Sequence, residues 1–400
     1  MHDPAAAIVR GDLDPAFDFT VARREWWATH GEPQGGVNRT HSNIRDPNRV
    51  LRVGYVSGDF RHHSAGIIFG PVVLGHSDRF KVYGYSTCPP DKHDPTTGLY
   101  RDDLIWRDVH DMDHAALTQT IQEDAIDILV DLSGFTQYNR LEAFCAKPAP
   151  VQVTAWGYAV PTELPVFDAF FSDPVHYPKG MRACREPVVD LPCAVTYDPP
   201  PLVPEPQSLP DRPPVFGSLN RVAKLDPRVL RAWRDILLCV PGSTLVLKDG
   251  EYVGEIGEWV LRELGAAAPQ ARFLGETPHR EHILTYQGID LALDPFLHSG
   301  GVTTLEGLWM GVLPVTLPGT RPFTRISASA LSILGLHNFI ASSPEEYVAK
   351  AVEWVTTRRQ ELSKIRTTLR QRLQASPIMA GYVDAVEAAY RELWGAWCRG

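Results

Sequence analysis

At 400 residues, 44% hydrophobic and 22% charged, the chain has the balance of a soluble globular protein and is too long for one hydrophobic core, so two domains are expected. A formal charge of −9, from 39 Lys and Arg against 48 Asp and Glu, argues against a nucleic-acid partner, which would need a basic face for the phosphate backbone. Six scattered cysteines without a CxxC pair exclude a zinc ribbon and give no disulfide framework, and no apolar run reaches the roughly 18 to 20 residues of a membrane span, so a cytoplasmic protein with no membrane partner is expected.

Residues 1–50 read as a helical lead-in and linker. The N-terminal MHDPAAAIVRGDLDP lacks the regions of a signal peptide, AFDFTVARREWWATHGEP carries one helical pattern, and QGGVNRTHSNIRDPNR is rich in chain breakers. From Leu51 the runs LRVGYVSGDF, KVYGYST, DLIWRDV, DILVDLSGF, VQVTAWGY and AFFSD alternate with helical segments, which predicts a parallel sheet covered on both faces over 51–200. The Pro-dense DPPPLVPEPQSLPDRPP, Asp198 to Pro214, removes backbone donors and holds the domain boundary.

A second alternation fills 201–375: VFGSLN, a helix from about Asp226 to Val240, STLVLKD, a helix around Gly254 to Leu264, ARFLG, a helix after Pro278, DLALD, a helix opening at Val302, and VLPVTLPG. Pro344 to Arg372 is predicted helical, with the basic IRTTLRQR as its solvated side, and the helix within 376–400 is expected to pack back on the N-terminal domain. The fold class is therefore α/β, two doubly wound Rossmann-like domains facing a cleft, with ligands beyond the carboxyl ends of the strands.

The run Leu291 to Gly311, LALDPFLHSGGVTTLEGLWMG, joins a strand to a helix through a Gly-rich turn. Free amides and the positive dipole end of such a helix hold phosphate; Gly300 and Gly301 leave room for a pyrophosphate, the hydroxyls of Thr303 and Thr304 add donors to the Val302 amide, and Glu306 can accept from a ribose. The spacing is not GxGxxG, so a sugar nucleotide fits better than NAD.

Other candidates also follow strands. Lys224 suits the growing negative charge of a departing diphosphate, and the chemistry is expected to need no metal and no cofactor. His63 is either a base for a hydroxyl acceptor or a structural histidine, and its neighbour His62 leaves the choice open. Asp124, in the pair Glu123-Asp124, is a second base candidate or a helix cap. His282 can stack on a nucleobase or cap a helix. The spacing of His279, His282 and His298 is not that of metal ligands.

These motifs together resemble the catalytic region of the protein O-GlcNAc transferases and the SPINDLY-type protein O-fucosyltransferases. The matching runs are RVGYVSGDFRHHS, DILVDLSGFT, RLEAFCAKPAPVQVTAWGY, FGSLNRVAKLDP with Trp233 and VPGSTLVLK, TPHREH, LALDPFLHSGGVTTLEGLWMGVLPVTLPG and SPIMAGYVDAVEAAYRELW, in family order from about Leu51 to Trp397. The resemblance implies a GT-B type glycosyltransferase that inverts the anomeric centre without metal. It implies diphosphate contact by Lys224, packing of His282 on uracil, phosphate binding by Val302 and Thr303, ribose contact by Glu306, and a base role for His63 or Asp124. The donor site is expected to comprise Asn220, Arg221, Thr277, His279, His282, His298, Gly300, Gly301, Val302, Thr303, Thr304 and Glu306.

The chain departs from the O-GlcNAc transferase pattern at several places. Gly157-Tyr158-Ala159-Val160-Pro161-Thr162 stands where Gly-Tyr-Pro-Gly-Thr is usual, Arg221 replaces a Gln, His279 a Lys, Val302 a Thr, and Glu306 an Asp common in many members. The tetratricopeptide repeats that precede the catalytic region in the family are missing, as in a bacterial member without repeats or a fragment. The resulting expectation is transfer of a sugar, GlcNAc from UDP-GlcNAc, to Ser or Thr hydroxyls of a protein. GDP-fucose as donor, a sugar-nucleotide epimerase of the same fold and a non-catalytic nucleotide-binding scaffold are the alternatives, and the sequence leaves the oligomeric state open.

Overall fold

A computed structural model describes residues 4–12, 17–37 and 39–400; the parts of the lead-in at 1–3, 13–16 and 38 lie outside the described residues. The chain clusters into two units. Unit 1 runs to Pro174 and adds Pro178–Asp198 and Gly381–Gly400, while unit 2 comprises Val175–Tyr177 and Pro199–Ala380.

Unit 1 opens with two helices where the pattern predicts one, α1 (Pro4–Asp12) and α2 (Phe19–Trp26). Asp18 starts α2 by accepting from the amides of Thr20 and Val21 at 3.0 and 3.1 Å, a cap of the kind that sets a helix boundary. The lead-in is not a separate appendage: Ala5, Ile8, Trp26 and Trp27 are buried in one core cluster with Leu141, Phe144 and Phe167.

Seven parallel strands follow: β1 (Leu51–Ser57), β2 (Phe80–Ser86), β3 (Ile105–Asp108), β4 (Ile128–Asp131), β5 (Val151–Thr154), β6 (Ala169–Ser172) and β7 (Val188–Asp190). Their order is β3-β2-β1-β4-β5-β6-β7, with α3 (Ser64–Val73), α4 (Pro95–Asp103), α5 (His114–Glu123) and α6 (Leu141–Cys145) among the connections. Leu51, Val53 and Tyr55 of the central β1 are fully buried, as a strand covered on both faces requires. Val56 pairs with both Tyr85 and Asp131, so the loops after β1, β2 and β4 leave from one carboxyl edge.

Unit 2 has five parallel strands in the order β10-β9-β8-β11-β12. They are β8 (Val215–Ser218), β9 (Thr244–Lys248), β10 (Ala271–Leu274), β11 (Leu291–Leu293) and β12 (Pro314–Val315), connected through α7 (Pro227–Cys239), α8 (Gly254–Leu264), α9 (His279–Thr285) and α10 (Val302–Trp309). In α7, Val229, Leu230, Trp233, Ile236 and Leu237 form one buried face. Asp226 caps it by accepting from the amides of Arg228 and Val229, and Pro227 pre-sets the first helical residue.

The remaining helices are α11 (Ile326–Ile333), α12 (Pro344–Val355) and α13 (Arg359–Gln374), so the helical stretch predicted over 344–372 is two helices, and α14 (Tyr382–Arg399) clusters with unit 1. The basic run on α13 is not its solvated side. Arg366 and Arg370 are 4% and 6% exposed. Their guanidinium groups grip the Pro-rich segment, Arg366 Nε donating to Gln207 O at 3.0 Å and Arg370 to Pro204 O at 2.6 Å. Prolines bring carbonyls without amides, so the segment's acceptors need donors from elsewhere. Among the described residues no helix is long and apolar enough to cross a membrane, and no disulfide joins any of the six cysteines.

Candidate functional site

In unit 2 the candidate residues meet at the carboxyl ends of β8 and β11. Gly301 is the N-cap of α10 and no side chain caps the helix. The carbonyl of Gly301 already accepts from Thr304 and Leu305, while the amides of Val302 and Thr303 have no acceptor within the helix, the state in which a helix start binds an anion. The two threonine hydroxyls are not additional donors to such an anion. Thr303 Oγ1 donates to Asn220 Oδ1 at 3.0 Å, and Thr304 Oγ1 pairs with the Ser327 hydroxyl at 2.7 Å. Gly300 is required for a reason other than ligand access: a Cβ there would stand 2.4 Å from Thr304 Oγ1 and 2.8 Å from Thr303 Oγ1.

Lys224 ends a short 3₁₀ turn, Val222–Lys224, that follows β8. Its Nζ donates to Asn220 Oδ1 and to Ser299 O, both at 3.0 Å. Because Asn220 Oδ1 also accepts from Thr303, one amide oxygen ties the lysine turn to the start of α10, and the two segments share one edge of the unit. Burial pushes the Lys224 ammonium down to about 8; the nearby Asp294 carboxylate opposes that shift and Arg221 adds to it.

Three residues with a hand in this arrangement escaped the sequence reading. Asp294 is buried at the end of LALD and accepts from the Gly300 amide and the Thr316 hydroxyl, both at 2.6 Å. Burial raises its carboxyl above the usual range in spite of these bonds and of Lys224. Ser299 lends its carbonyl to Lys224, and Tyr286 donates from its hydroxyl to Thr303 O at 2.8 Å. An acidic residue closing an apolar strand was the available signal for Asp294; the other two act through the folded chain alone.

His298 stacks on Phe323 with ring centroids 5.1 Å apart, and its Nδ1 is buried without a hydrogen-bond partner. Burial, Lys224 and Arg221 together hold that imidazole well below its ordinary pKa, so it is neutral. A second group forms around Glu306, which is 3% exposed: His279 Nε2 lies 2.8 Å from Oε1 and His282 Nε2 3.5 Å from Oε2. Burial alone would raise the Glu306 carboxyl, but the two imidazoles outweigh it and the net shift is downward. The edge of Tyr286 meets His282 at 6.2 Å and 83°, which orients the His282 ring. Thr277 and Arg221 are exposed beside these groups, Thr277 two residues before His279 and Arg221 at the start of the lysine turn.

In unit 1, His63 is the N-cap of α3, where its Nδ1 accepts from the Ala65 amide at 3.2 Å and lies 3.3 Å from Asp59 Oδ2. A proton on Nδ1 favours the Asp59 contact and leaves Nε2 basic; a proton on Nε2 favours the cap. The His62 amide donates to Asp94 Oδ2 at 2.7 Å and the His62 side chain is exposed.

Asp124 requires a correction. It is the C-cap of α5, ahead of β4 and toward the amino edge of the sheet, whereas His63 lies beyond the carboxyl edge. Arg107 and the Tyr85 hydroxyl each bond its carboxylate at 2.8 Å. Those contacts hold it as a structural ion-pair partner within unit 1. The altered loop after β5 is tied to the lead-in, since Tyr158 donates to Asp12, which also pairs with the buried Arg23 at 2.6 Å. Further along that loop, the Thr162 amide and hydroxyl both donate to Glu186 Oε1.

A family model described as glycosyl transferase family 41 matches residues 37–184 and 204–385. The chain is 34% identical over 401 residues to the Arabidopsis thaliana protein named probable UDP-N-acetylglucosamine–peptide N-acetylglucosaminyltransferase SPINDLY, covering 95% of this chain and 43% of that protein. It is 30% identical over 371 residues to the Arabidopsis protein of the same description named SEC, covering 88% of this chain and 38% of that one. The solved structure of a mutant O-GlcNAc transferase from Thermobaculum terrenum is similar with a TM-score of 0.92 at 31% identity, over 99% of this chain and 78% of that one. Anabaena HepE, solved with UDP and glucose, shares the fold at 12% identity and a TM-score of 0.56, over 85% of this chain and 99% of that one. The chain thus spans less than half the length of these curated relatives.

Proposed function

Since the chain belongs to glycosyl transferase family 41, we propose that it transfers GlcNAc from UDP-GlcNAc to Ser or Thr hydroxyls of a protein, with inversion and without a metal ion. The observation that carries this reading is the link from Lys224 through Asn220 to Thr303, which sets an ammonium beside the unpaired amides that open α10. As the bond from sugar to diphosphate breaks, negative charge grows on the departing phosphate; a fixed cation and fixed dipoles stabilise that charge more than they stabilise the intact donor. In this reading the charge is assigned to Lys224 and the amides of Val302 and Thr303.

In this reading Glu306, held by His279 and His282, accepts from the ribose hydroxyls through the remaining lone pairs of its oxygens, and His282, braced by Tyr286, offers its ring to the base. The acceptor proton passes to His63 Nε2, with Asp59 facing the imidazolium that forms. The test is thermal protection by UDP, UDP-GlcNAc, UDP-glucose, GDP and GDP-fucose, followed by transfer to a protein acceptor with whichever donor protects. Protection by UDP and UDP-GlcNAc with transfer supports the reading. Protection by GDP compounds alone would replace the donor, and conversion of the nucleotide sugar without an acceptor would replace the reaction.

A further inference from the structure

The segment 39–44 arches over the amino ends of β1 and β4 and encloses a cavity of about 370 Å³ in unit 1, at the opposite sheet edge from the loop that carries His63. Its lining includes Arg39, Thr40, His41, Ser42, Arg52 and Gln122. Arg39 gives one N–H to Ala146 O at 2.9 Å and another to the Gln122 side-chain oxygen at 2.6 Å, while Arg52 gives one to Asp124 O at 2.9 Å. Among the described residues neither guanidinium has a carboxylate partner. The Asp124 carboxylate is taken by Arg107 and Tyr85, and that of Asp127 by Arg49, Asn43 and the Arg52 amide.

The nearby end of α5 contributes about half a negative charge, against two full positive ones. His41 Nε2 is buried with no hydrogen-bond partner. Burial, Lys147 and Arg39 hold that imidazole down to about 4, against Asp168, so it presents a neutral ring to the cavity. Two guanidinium groups without a carboxylate among the described residues, at a partly enclosed wall with two hydroxyls, form a cradle for an oxyanion.

We propose that this cavity binds a phosphate-bearing small molecule, with Arg39 and Arg52 supplying the charge and the hydroxyls of Thr40 and Ser42 hydrogen bonds. The assignment stands apart from the donor site, which lies in unit 2. Free phosphate and a phosphate monoester share the required chemistry, and the volume exceeds what a bare anion fills, which favours the monoester.

The experiment titrates inorganic phosphate, and separately a hexose 6-phosphate, into the full chain at constant ionic strength while the His41 ring resonances are followed by NMR. Wild type and Lys224→Met should both show a saturable His41 shift, because the donor site is not involved. Gln122→Glu, which sets a carboxylate against Arg39 without disturbing the core, and Arg52→Gln should each bind about tenfold more weakly, the order expected for loss of one screened charge contact. Tighter binding of the hexose phosphate identifies a monoester as occupant, and equal binding identifies the free anion. A His41 signal unmoved by either compound, an equal shift with chloride, or unchanged affinity in both unit 1 variants would overturn the proposal. Loss of the shift in Lys224→Met alone would place the binding at the donor site and overturn it as well.

Discussion

Lys224→Met removes the ammonium while keeping most of the side-chain volume. The lost group donates to Asn220 Oδ1 and Ser299 O, and Asn220 retains its bond from Thr303, so one acceptor is left unpaired. An unpaired acceptor costs about 1–3 kcal/mol, but the change also removes a buried charge whose lowered pKa opposes folding, so the two roughly offset and Tm should move by no more than roughly 2–4 °C. The effect on transfer is larger. Loss of one preorganised charge-stabilising donor costs about 3–4 kcal/mol in the transition state, or a roughly hundredfold to thousandfold fall in single-turnover rate. With its pKa lowered only to about 8, Lys224 is still mainly cationic at pH 7, so wild type already uses most of the effect. UDP carries the completed leaving-group charge and should lose more affinity than the intact donor does. Quenched-flow measurement of UDP release under enzyme excess gives the rate, and calorimetry the affinities. A folded Lys224→Met protein with near-normal turnover and unchanged UDP affinity would refute the assignment.

Three further outcomes follow from the same contacts. UDP should pull the lowered Lys224 pKa back up, so binding near pH 8.5 should take up protons, seen by calorimetry in buffers of different ionisation enthalpy, and affinity should fall as pH rises above about 8; in the free protein the sign is opposite, because a folded pKa below the unfolded 10.5 means that this residue's destabilising charge is fully present below about 8 and is relieved between 8 and 10.5. Gly300→Ala should lower stability by about 1–3 kcal/mol in denaturant titration and weaken UDP binding, because its Cβ collides with both threonine hydroxyls. Asp124→Asn should lower Tm through Arg107 and Tyr85 while leaving kcat near wild type, whereas His63→Ala should lower kcat by about a hundredfold or more; equal losses of kcat would return Asp124 to a chemical role.

Most strands were legible because a sheet buried on both faces writes near-continuous apolar runs, such as Leu51–Val56 and Ile128–Val130. The three-residue, half-buried β7 leaves no such run. The Gly-rich entry to α10 and the lysine after β8 were readable from local chemistry, and the likeness read from the motifs agrees with the family match. What sequence spacing does not encode is which polar groups consume one another. Thr303 and Thr304 looked available until Asn220 and Ser327 were found against them, and Glu123-Asp124 looks the same whether or not an arginine 17 residues upstream is paired with it. Arg366 and Arg370 follow the same rule, since a basic helical run signals solvent unless a carbonyl-rich partner is known.

The clasp between α13 and the proline segment bears on how unit 2 can be handled alone. A fragment trimmed to begin at the first strand, Val215, would delete the carbonyls of Pro204 and Gln207, leave Arg366 with Ile289 O and Tyr286 O and Arg370 with Trp309 O, and uncover a face of α13 that the prolines close. The prolines that look like dispensable tether therefore work as a splint, and an expression boundary at Pro199 preserves what one sixteen residues later would forfeit.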